Sequence, residues 1–409
     1  MSPPPHVLIV GAGIGGLLLA QLLRKQGISY EIFERDENDH DRLQGWSIAI
    51  HSMLDELKGL LPNDLPPVEV TSNILPLNLV PEFAFYPQDA SRKLGVRDEG
   101  NGEIIRANRR RLREWLSTNI PVQYDKKAKT LEEKKDSVTV QFQDGTSATG
   151  SILVGADGSR SIVRQQLLGK QNDLLRWEPA ALVTADNIVL SGDDMRTALE
   201  LGHSIWGVDF KDAEGNRAWY FAALDEIAPD GKSGRFYHHM LWKDEAARAD
   251  DFWVHSATKK QLYDVMVQKA ATLIPQFRVL MDKTAPEHMK SPGIRFSTLV
   301  MPTMPIGRVT LLGDAAHSMT AFRGEGGYHA MRDAIMLSKA ITKMEKLDFE
   351  NIKDVLGQYQ HEMLERGREA ARLSQMQNAL EGNQTGSGGR LIAGHPVVVL
   401  SENPLDIVS

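Results

Sequence analysis

The chain has no cysteine among its 409 residues. Disulfides, thiolate metal sites and a cysteine nucleophile or resolving pair are therefore excluded. Long apolar runs are missing too, since none approaches the roughly 18 residues of a membrane span. The apolar stretch from His6 to Leu23 has no basic region before it and carries regularly placed glycines, so it reads as folded structure rather than as a leader. An excess of positive charge is also lacking. With 47 Lys and Arg against 54 Asp and Glu, the formal net charge is -7 and gives no reason to expect nucleic acid or an anionic membrane as partner. The last residues, Asp406 to Ser409, match no peroxisomal or retention signal. The expected location is cytoplasmic. No internal repeat is found.

What is present is glycine in three set places. Gly11-Ala-Gly-Ile-Gly-Gly16 follows an apolar strand, His6 to Val10, and opens a helical run from Ile14 to Gln26. A second strand, Ile28 to Phe33, ends on Glu34. That is the strand, turn, helix and acidic residue of a dinucleotide fingerprint. Gly11 allows the tight turn, Gly13 lets backbone amides approach a pyrophosphate, and Gly16 lets helix and strand pack closely. Unpaired N–H groups and the positive dipole end at the helix start suit the anion, and Glu34 is placed for the ribose hydroxyls. This motif by itself leaves NAD, NADP and FAD open.

Two further strands end in carboxylates. Ser151 to Val154 leads into Gly155-Ala-Asp157-Gly158, and Val309 to Leu312 leads into Gly313-Asp314-Ala-Ala-His317. A charge at the end of a buried strand is costly unless hydrogen-bonded, and a ribityl chain offers such bonds to Asp314. The order of the three motifs resembles the single-component, class A flavin monooxygenases of the p-hydroxybenzoate hydroxylase type, over nearly the whole chain. Its wording at Phe322 to Gly327 is similar to fungal secondary-metabolite members, and the region from Arg42-Leu-Gln-Gly45 to His51 to tetracycline-inactivating ones. The resemblance implies an α/β fold: a Rossmann-type FAD-binding domain with an inserted antiparallel-sheet substrate domain and C-terminal helices. It implies FAD held by Glu34, Asp314 and Arg109, the last in Asn108-Arg109-Arg-Arg-Leu112, with Asp157 and Gly158 serving both FAD and a transient NADPH or NADH. The disulfide reductases that share the first motif are ruled out by the missing cysteines.

The expected flavin domain is discontinuous, comprising residues 1–70, 100–178 and 292–380, with 71–99 and 179–291 as the substrate domain and 381–409 as a tail. Between them, Ser204 to Phe210, Arg217 to Leu224 and Gly234 to Trp242 read as strands joined by short turns. Ten of the 27 aromatics fall between Trp206 and Trp253, so an aromatic-lined pocket there competes with ordinary packing of the sheet. Tyr328 to Lys346 and Phe349 to Ala379 read as helices, and Gly382 to Gly389 as a linker.

The chemistry is expected after Asp314. Gly324, Gly326 and Gly327 put backbone amides before a helix, facing the flavin edge where negative charge gathers on reduction. Relatives usually carry Met-Pro-Pro where this chain has Met319-Thr320-Ala321, so a stiffening element is absent. The resemblance implies hydride transfer from NAD(P)H, then reaction with O2 through a C4a-(hydro)peroxyflavin that delivers one oxygen atom to an aromatic or polycyclic small molecule. Two other classes stay open: a flavin-dependent reductase or dehydrogenase of the same fold, and a non-redox, cyclase-like protein containing FAD.

Other residues have competing readings. Arg42 and Gly45 fall in a segment that reaches the pyrophosphate or lies on the surface. Arg110, Arg111 and Arg113, with Arg109, read as an anion patch or, for most of them, as a solvated helix face. His238 and His239 suggest a metal site, but neighbours on a strand point to opposite faces, so no metal is expected. Tyr220 is the candidate acid or substrate-oxygen ligand, against a core tyrosine. His317 reads as structural, and Ser159 lacks a hydrolase context.

Overall fold

The computed structural model describes residues 5–39, 47–169, 174–375, 391–392 and 395–401. Arg42, Gly45 and the expected linker lie outside the described residues. The near-continuous apolar runs His6–Val10 and Ile152–Gly155 form the middle of a five-stranded sheet, as strands covered on both faces do. Its order is Val309–Leu311, Ile152–Gly155, His6–Val10, Ser29–Phe33, Val122–Gln123, parallel throughout. The helix Ile14–Lys25 is buried along ten consecutive residues, Ile14 to Leu23. It packs so closely on the helix Gly326–Thr342 that a Cβ on Gly15 would lie 3.3 Å from the Ala330 carbonyl oxygen. Leu17, Leu18, Leu19, Leu22 and Leu23 are at most 1% exposed, and burial of each stabilises by roughly 1.5–3 kcal/mol. A three-stranded meander, Ala128–Glu133, Val138–Phe142 and Ser147–Gly150, extends this half.

The second sheet has eight strands in the order Ile294–Leu299, Leu175–Ser191, Ser233–Lys243, Arg217–Ile227, Ile205–Lys211, Glu82–Pro87, Leu94–Arg97, Val398–Val399. It departs from the all-antiparallel expectation at one ladder. Ile205–Lys211 runs parallel to Glu82–Pro87, because a long crossover rather than a hairpin joins them. Ile294–Leu299, within the segment expected in the flavin half, pairs here with Leu175–Ser191. One face of the sheet, with Trp206, Tyr220 and Met240, packs against Leu262 and Met266 of the helix Lys259–Lys269 and against Phe277. The other face, with Leu182, Trp219 and Leu241, turns toward the parallel sheet.

The C-terminal helices are Gly326–Thr342 and Phe349–Ser374. The second starts where expected because the Asp348 carboxylate accepts the Asn351 N–H at 2.9 Å, an N-cap. Among the described residues no helix is long and apolar enough to cross a membrane.

Candidate active site

The glycine turn has the steric form that its sequence implies. Gly11 adopts φ +112°, and a Cβ there would sit 2.4 Å from the Ala156 carbonyl oxygen. A Cβ on Gly16 would lie 2.1 Å from the Gly11 oxygen. Gly13 differs: nothing lies within 4 Å of its Cβ position, and it lines the central cavity at the start of the Ile14–Lys25 helix. The Glu34 carboxylate accepts the Ala12 N–H at 2.8 Å and the Asp36 N–H at 3.1 Å. It thereby fixes the turn, and each oxygen retains a second lone pair for a hydroxyl. Arg113, read from sequence as part of a helix face, is instead buried and donates to the Ala12 carbonyl at 3.1 Å.

Asp157 bonds within its own turn. It accepts the Ser161 hydroxyl at 2.5 Å and the Ile162 and Val163 N–H groups at 2.7 and 3.3 Å, capping the helix Ile162–Leu168. Burial raises its pKa, with those bonds opposing. Gly158, at φ +80°, lines the cavity. Arg164 donates to the Ser159 carbonyl at 2.8 Å and the Ala315 carbonyl at 3.1 Å, so it ties the second motif to the third.

Asp314 opens the short helix Asp314–His317 after Gly313, which adopts φ +60°. Protein crowds its carboxylate, yet the residue is exposed to solvent through the cavity it lines. Among the described residues it accepts no hydrogen bond. That enclosure raises its pKa, opposed by His317 and Arg109. Arg109 also lines the cavity, as the first residue of a helix capped by Asn108, whose side chain accepts the Arg111 N–H at 3.1 Å.

Behind this turn lies a charged cluster that sequence reasoning missed. Asp333, fully buried, accepts the Gly313 N–H at 2.7 Å, stands 2.7 Å from His317 Nε2, and accepts Arg366 at 2.6 Å. Burial depresses the His317 pKa, but Asp333 outweighs it and the net shift is upward. Burial likewise opposes ionisation of Asp333, and His317 with Arg366 brings its pKa below the usual value. His317 is thus structural, as its sequence context suggests. The signal in the sequence was Asp333 on the helix after the glycine loop, sixteen residues beyond His317.

The loop without prolines is held another way. The Thr320 hydroxyl donates to the Ser374 carbonyl, and the Thr320 N–H donates to Ser374 Oγ at 3.1 Å, tethering the loop to the end of the last helix. Gly324 adopts φ +67°, and Gly327 lies against Ile48, 2.9 Å from Cγ2 to its Cβ position. Gly324, Gly326 and Gly327 all line the cavity.

That cavity, about 500 Å³, runs from Gly13, Asp314 and the glycine loop to the second sheet. Its far wall is apolar, built from Phe83, Phe85, Phe221, Leu241, Phe296 and Phe322. The polar groups there are Arg106, Tyr237 and His239. Tyr237 Oη accepts Arg106 Nη2 at 3.1 Å and the Ser47 N–H at 3.3 Å. His239 Nδ1 lies 2.9 Å from the Thr184 hydroxyl, and burial, with Arg106 and Lys290 adding, holds its pKa down at about 3. Tyr220 does not reach this cavity. It is fully buried on the opposite face beside Trp206 and His238, its hydroxyl has no partner among the described residues, and burial pushes its pKa up. The expected site tyrosine is therefore corrected: Tyr237, one strand over, faces the cavity. His238 and His239 point apart, and no group of residues able to hold a metal occurs among the described residues.

A family model described as an FAD binding domain matches residues 108–374, and one described as an NAD(P)-binding Rossmann-like domain matches 9–38. The chain is 41% identical to the FAD-dependent monooxygenase thnD of Trichoderma harzianum, over 99% of this chain and 100% of that one. The chain belongs to the class A FAD-dependent monooxygenases. This monooxygenase is also 30% identical to the FAD-dependent monooxygenase dbaB of Emericella nidulans, over 83% of this chain and 87% of the other. In fold it is similar to 2,6-dihydroxypyridine-3-hydroxylase from Arthrobacter nicotinovorans, with TM-score 0.70, 17% identity and full coverage of both chains. The residues present fit FAD. The monooxygenase has an open space at Gly13 beside helix amides, a carboxylate at Asp314 that lines the cavity and accepts no hydrogen bond among the described residues, and glycine backbone along the same wall.

Proposed function

We propose that this monooxygenase inserts one atom of O2 into an aromatic or polycyclic small molecule held against the second sheet. The overall balance is substrate plus O2, NAD(P)H and a proton, giving oxygenated product, NAD(P)+ and water. The supporting observation is the single cavity that joins the dinucleotide motifs to a wall of five phenylalanines. In this reading the parallel sheet and its helices form the flavin half, and the eight-stranded sheet forms the substrate half.

FAD, when bound, supplies the two-electron acceptor for NAD(P)H and the site of oxygen activation. The chain's own residues bind, orient and exclude water. The Gly13 turn and the amides of the first helix take the pyrophosphate, Glu34 takes ribose hydroxyls, and Asp314 takes the hydroxyls of the ribityl chain. Arg109, which lines the same cavity and counters the rise that burial gives the Asp314 pKa, would contribute positive charge. Amides of the Gly324 to Gly327 loop would donate to the flavin edge and stabilise negative charge there, already oriented and needing no rearrangement. The Thr320–Ser374 tether does for that loop what prolines do in relatives. Phe83, Phe85, Phe221, Phe296 and Phe322 keep water from the reacting centre, and the Arg106, Ser47 and Tyr237 contacts hold the phenol group at one place in the wall.

The test is incubation of FAD-loaded protein with NADPH or NADH, a panel of polycyclic phenols and isotopically labelled O2. One labelled oxygen per product and one NAD(P)H consumed per product is the expected result. Consumption of NAD(P)H with all oxygen released as peroxide for every aromatic compound would refute the proposal and favour a reductase.

A further inference from the structure

One oxygen atom grips both ends of the turn that presents Asp314. The helix Asp314–His317 is a single turn, and its backbone supplies the Ala316 and His317 N–H bonds to the Gly313 carbonyl, at 2.8 and 3.0 Å. A turn that short does not hold its shape alone. Asp314 does not brace it either, since among the described residues its carboxylate accepts no hydrogen bond. The shape is imposed from the helix Gly326–Thr342. Oδ2 of Asp333 accepts the Gly313 N–H at 2.7 Å, immediately before Asp314, and stands 2.7 Å from Nε2 of His317, three residues after it. Packing fixes the same two points: a Cβ on Gly313 would lie 3.0 Å from the Ala330 Cβ, and one on Gly367 would lie 2.4 Å from the His317 ring. Oδ1 of Asp333 is turned elsewhere, to Arg366 of the last helix at 2.6 Å. Asp333 is 0% exposed, and none of Asp333, His317 and Arg366 lines the cavity. Well-packed apolar side chains often stabilise such an interior as much as a buried ion pair does, so stability alone does not account for a carboxylate at this place.

We infer that Asp333 is a positioning residue for the cofactor: by gripping Gly313 and His317 through Oδ2, it holds the Asp314 carboxylate in place for the ribityl hydroxyls. The inference rests on Asp314 taking those hydroxyls. Asp333 acts from behind the turn and removes freedom that Asp314 would otherwise lose on binding, so its loss shows as weaker FAD affinity. The two oxygens divide the work. Oδ2 serves the cofactor turn, and Oδ1 serves the joint between the last two helices. Removal of Arg366 therefore loosens that joint and leaves the turn gripped.

The experiment is fluorescence titration of the apoprotein with FAD, without NAD(P)H or substrate, beside urea denaturation of the same apoproteins. Asp333→Ala is expected to bind FAD about tenfold more weakly than the wild type. Arg366→Met is expected to lose a similar amount of stability while binding FAD within about threefold of the wild type. Because Asp333 acts through Asp314, the double variant Asp314→Asn/Asp333→Ala is expected to bind FAD no more weakly than Asp314→Asn alone. The same cycle with His317→Phe, which keeps a ring against Gly367 and removes the donor, decides the matter where Asp333→Ala does not fold. Penalties that multiply in the double variant overturn the inference, as does FAD affinity that falls together with stability in Arg366→Met. An Asp314→Asn protein with wild-type affinity overturns the assignment of Asp314 and the inference with it. Weakened binding by Asp314→Asn beside unchanged binding by Asp333→Ala overturns the inference alone.

Discussion

Asp333→Asn removes the charge at the centre of the buried cluster while nearly keeping its volume. Three donors converge on this side chain: the Gly313 N–H at 2.7 Å, His317 at 2.7 Å and Arg366 at 2.6 Å. An amide can accept on one side only, so its NH2 group meets at least one of those donors head on, and Arg366 keeps a charge that has lost a partner. Breaking a buried ion pair from one side costs about 3–5 kcal/mol. With a urea dependence of roughly 3 kcal/mol per molar, the denaturation midpoint of the FAD-loaded protein falls by about 1–2 M. The pH dependence follows from the shifts. The His317 pKa is raised above 6.5 on folding, so its contribution is complete below about pH 6.5 and is lost as pH rises through the folded value. The Asp333 pKa is lowered below 3.8, so its contribution is present above that value and is lost as pH falls through the folded one. The gap between wild type and variant is therefore widest between about pH 4 and 6.5. Urea titrations followed by flavin fluorescence and far-UV circular dichroism at pH 6 and pH 9 measure it. A loss under about 1 kcal/mol at pH 6, or a gap that widens toward pH 9, would refute the reasoning.

Asp314→Asn keeps the shape of the side chain but turns charge-assisted hydrogen bonds into neutral ones, so FAD affinity should fall roughly 10- to 100-fold, by fluorescence titration of the apoprotein. Gly13→Ala meets no atom within 4 Å, so the apoprotein should hold its stability within about 0.5 kcal/mol while FAD binding weakens. Gly16→Ala, with its Cβ 2.1 Å from the Gly11 oxygen, should instead destabilise the apoprotein by roughly 1–3 kcal/mol or more; equal thermal denaturation of the two variants would contradict the geometry. Tyr220→Phe deletes a buried hydroxyl that has no partner among the described residues, so stability should be unchanged or rise by up to about 1 kcal/mol. Its kcat/KM should stay at the wild-type value, and a large fall would return Tyr220 to the reaction.

The flavin end was legible because its residues act over short spans. Gly11, Gly13 and Gly16 fix a turn through their own φ values and close approaches, and Asp157 and Asp314 sit at the ends of strands recognisable as apolar runs. The substrate end was not. Arg217–Ile227 and Ser233–Lys243 are buried on both faces, so their sequences carry no apolar-polar alternation to say which side faces the cavity. Tyr220 and Tyr237 are equally plausible by composition, and only the pairing of Ala223 with Tyr237 and the side each strand presents separate them. The 17-residue strand Leu175–Ser191 was hidden for a related reason: it serves two partner strands, and its register shifts between Ala185 and Ile188 on one side and between Trp177 and Ala181 on the other. Asp333 acts across 20 residues on Gly313, a distance at which local pattern is silent.

The order of strands in the parallel sheet constrains when the molecule can come into being. Val7 pairs with Ile152, and Leu153 in turn with Val309, so the sheet that begins the chain is closed by a strand made near its end. During synthesis the first strand and its glycine turn emerge early and wait for both partners, while the whole eight-stranded sheet except its last short strand is made in between. A nascent chain that stops before Gly313 carries the turn and most of the apolar far wall, but neither Asp314 nor the glycine loop that lines the cavity beside it. Assembly of this site is therefore a late event, completed around a cofactor that meets the finished chain, and the waiting apolar strands are surfaces that a chaperone would have reason to cover.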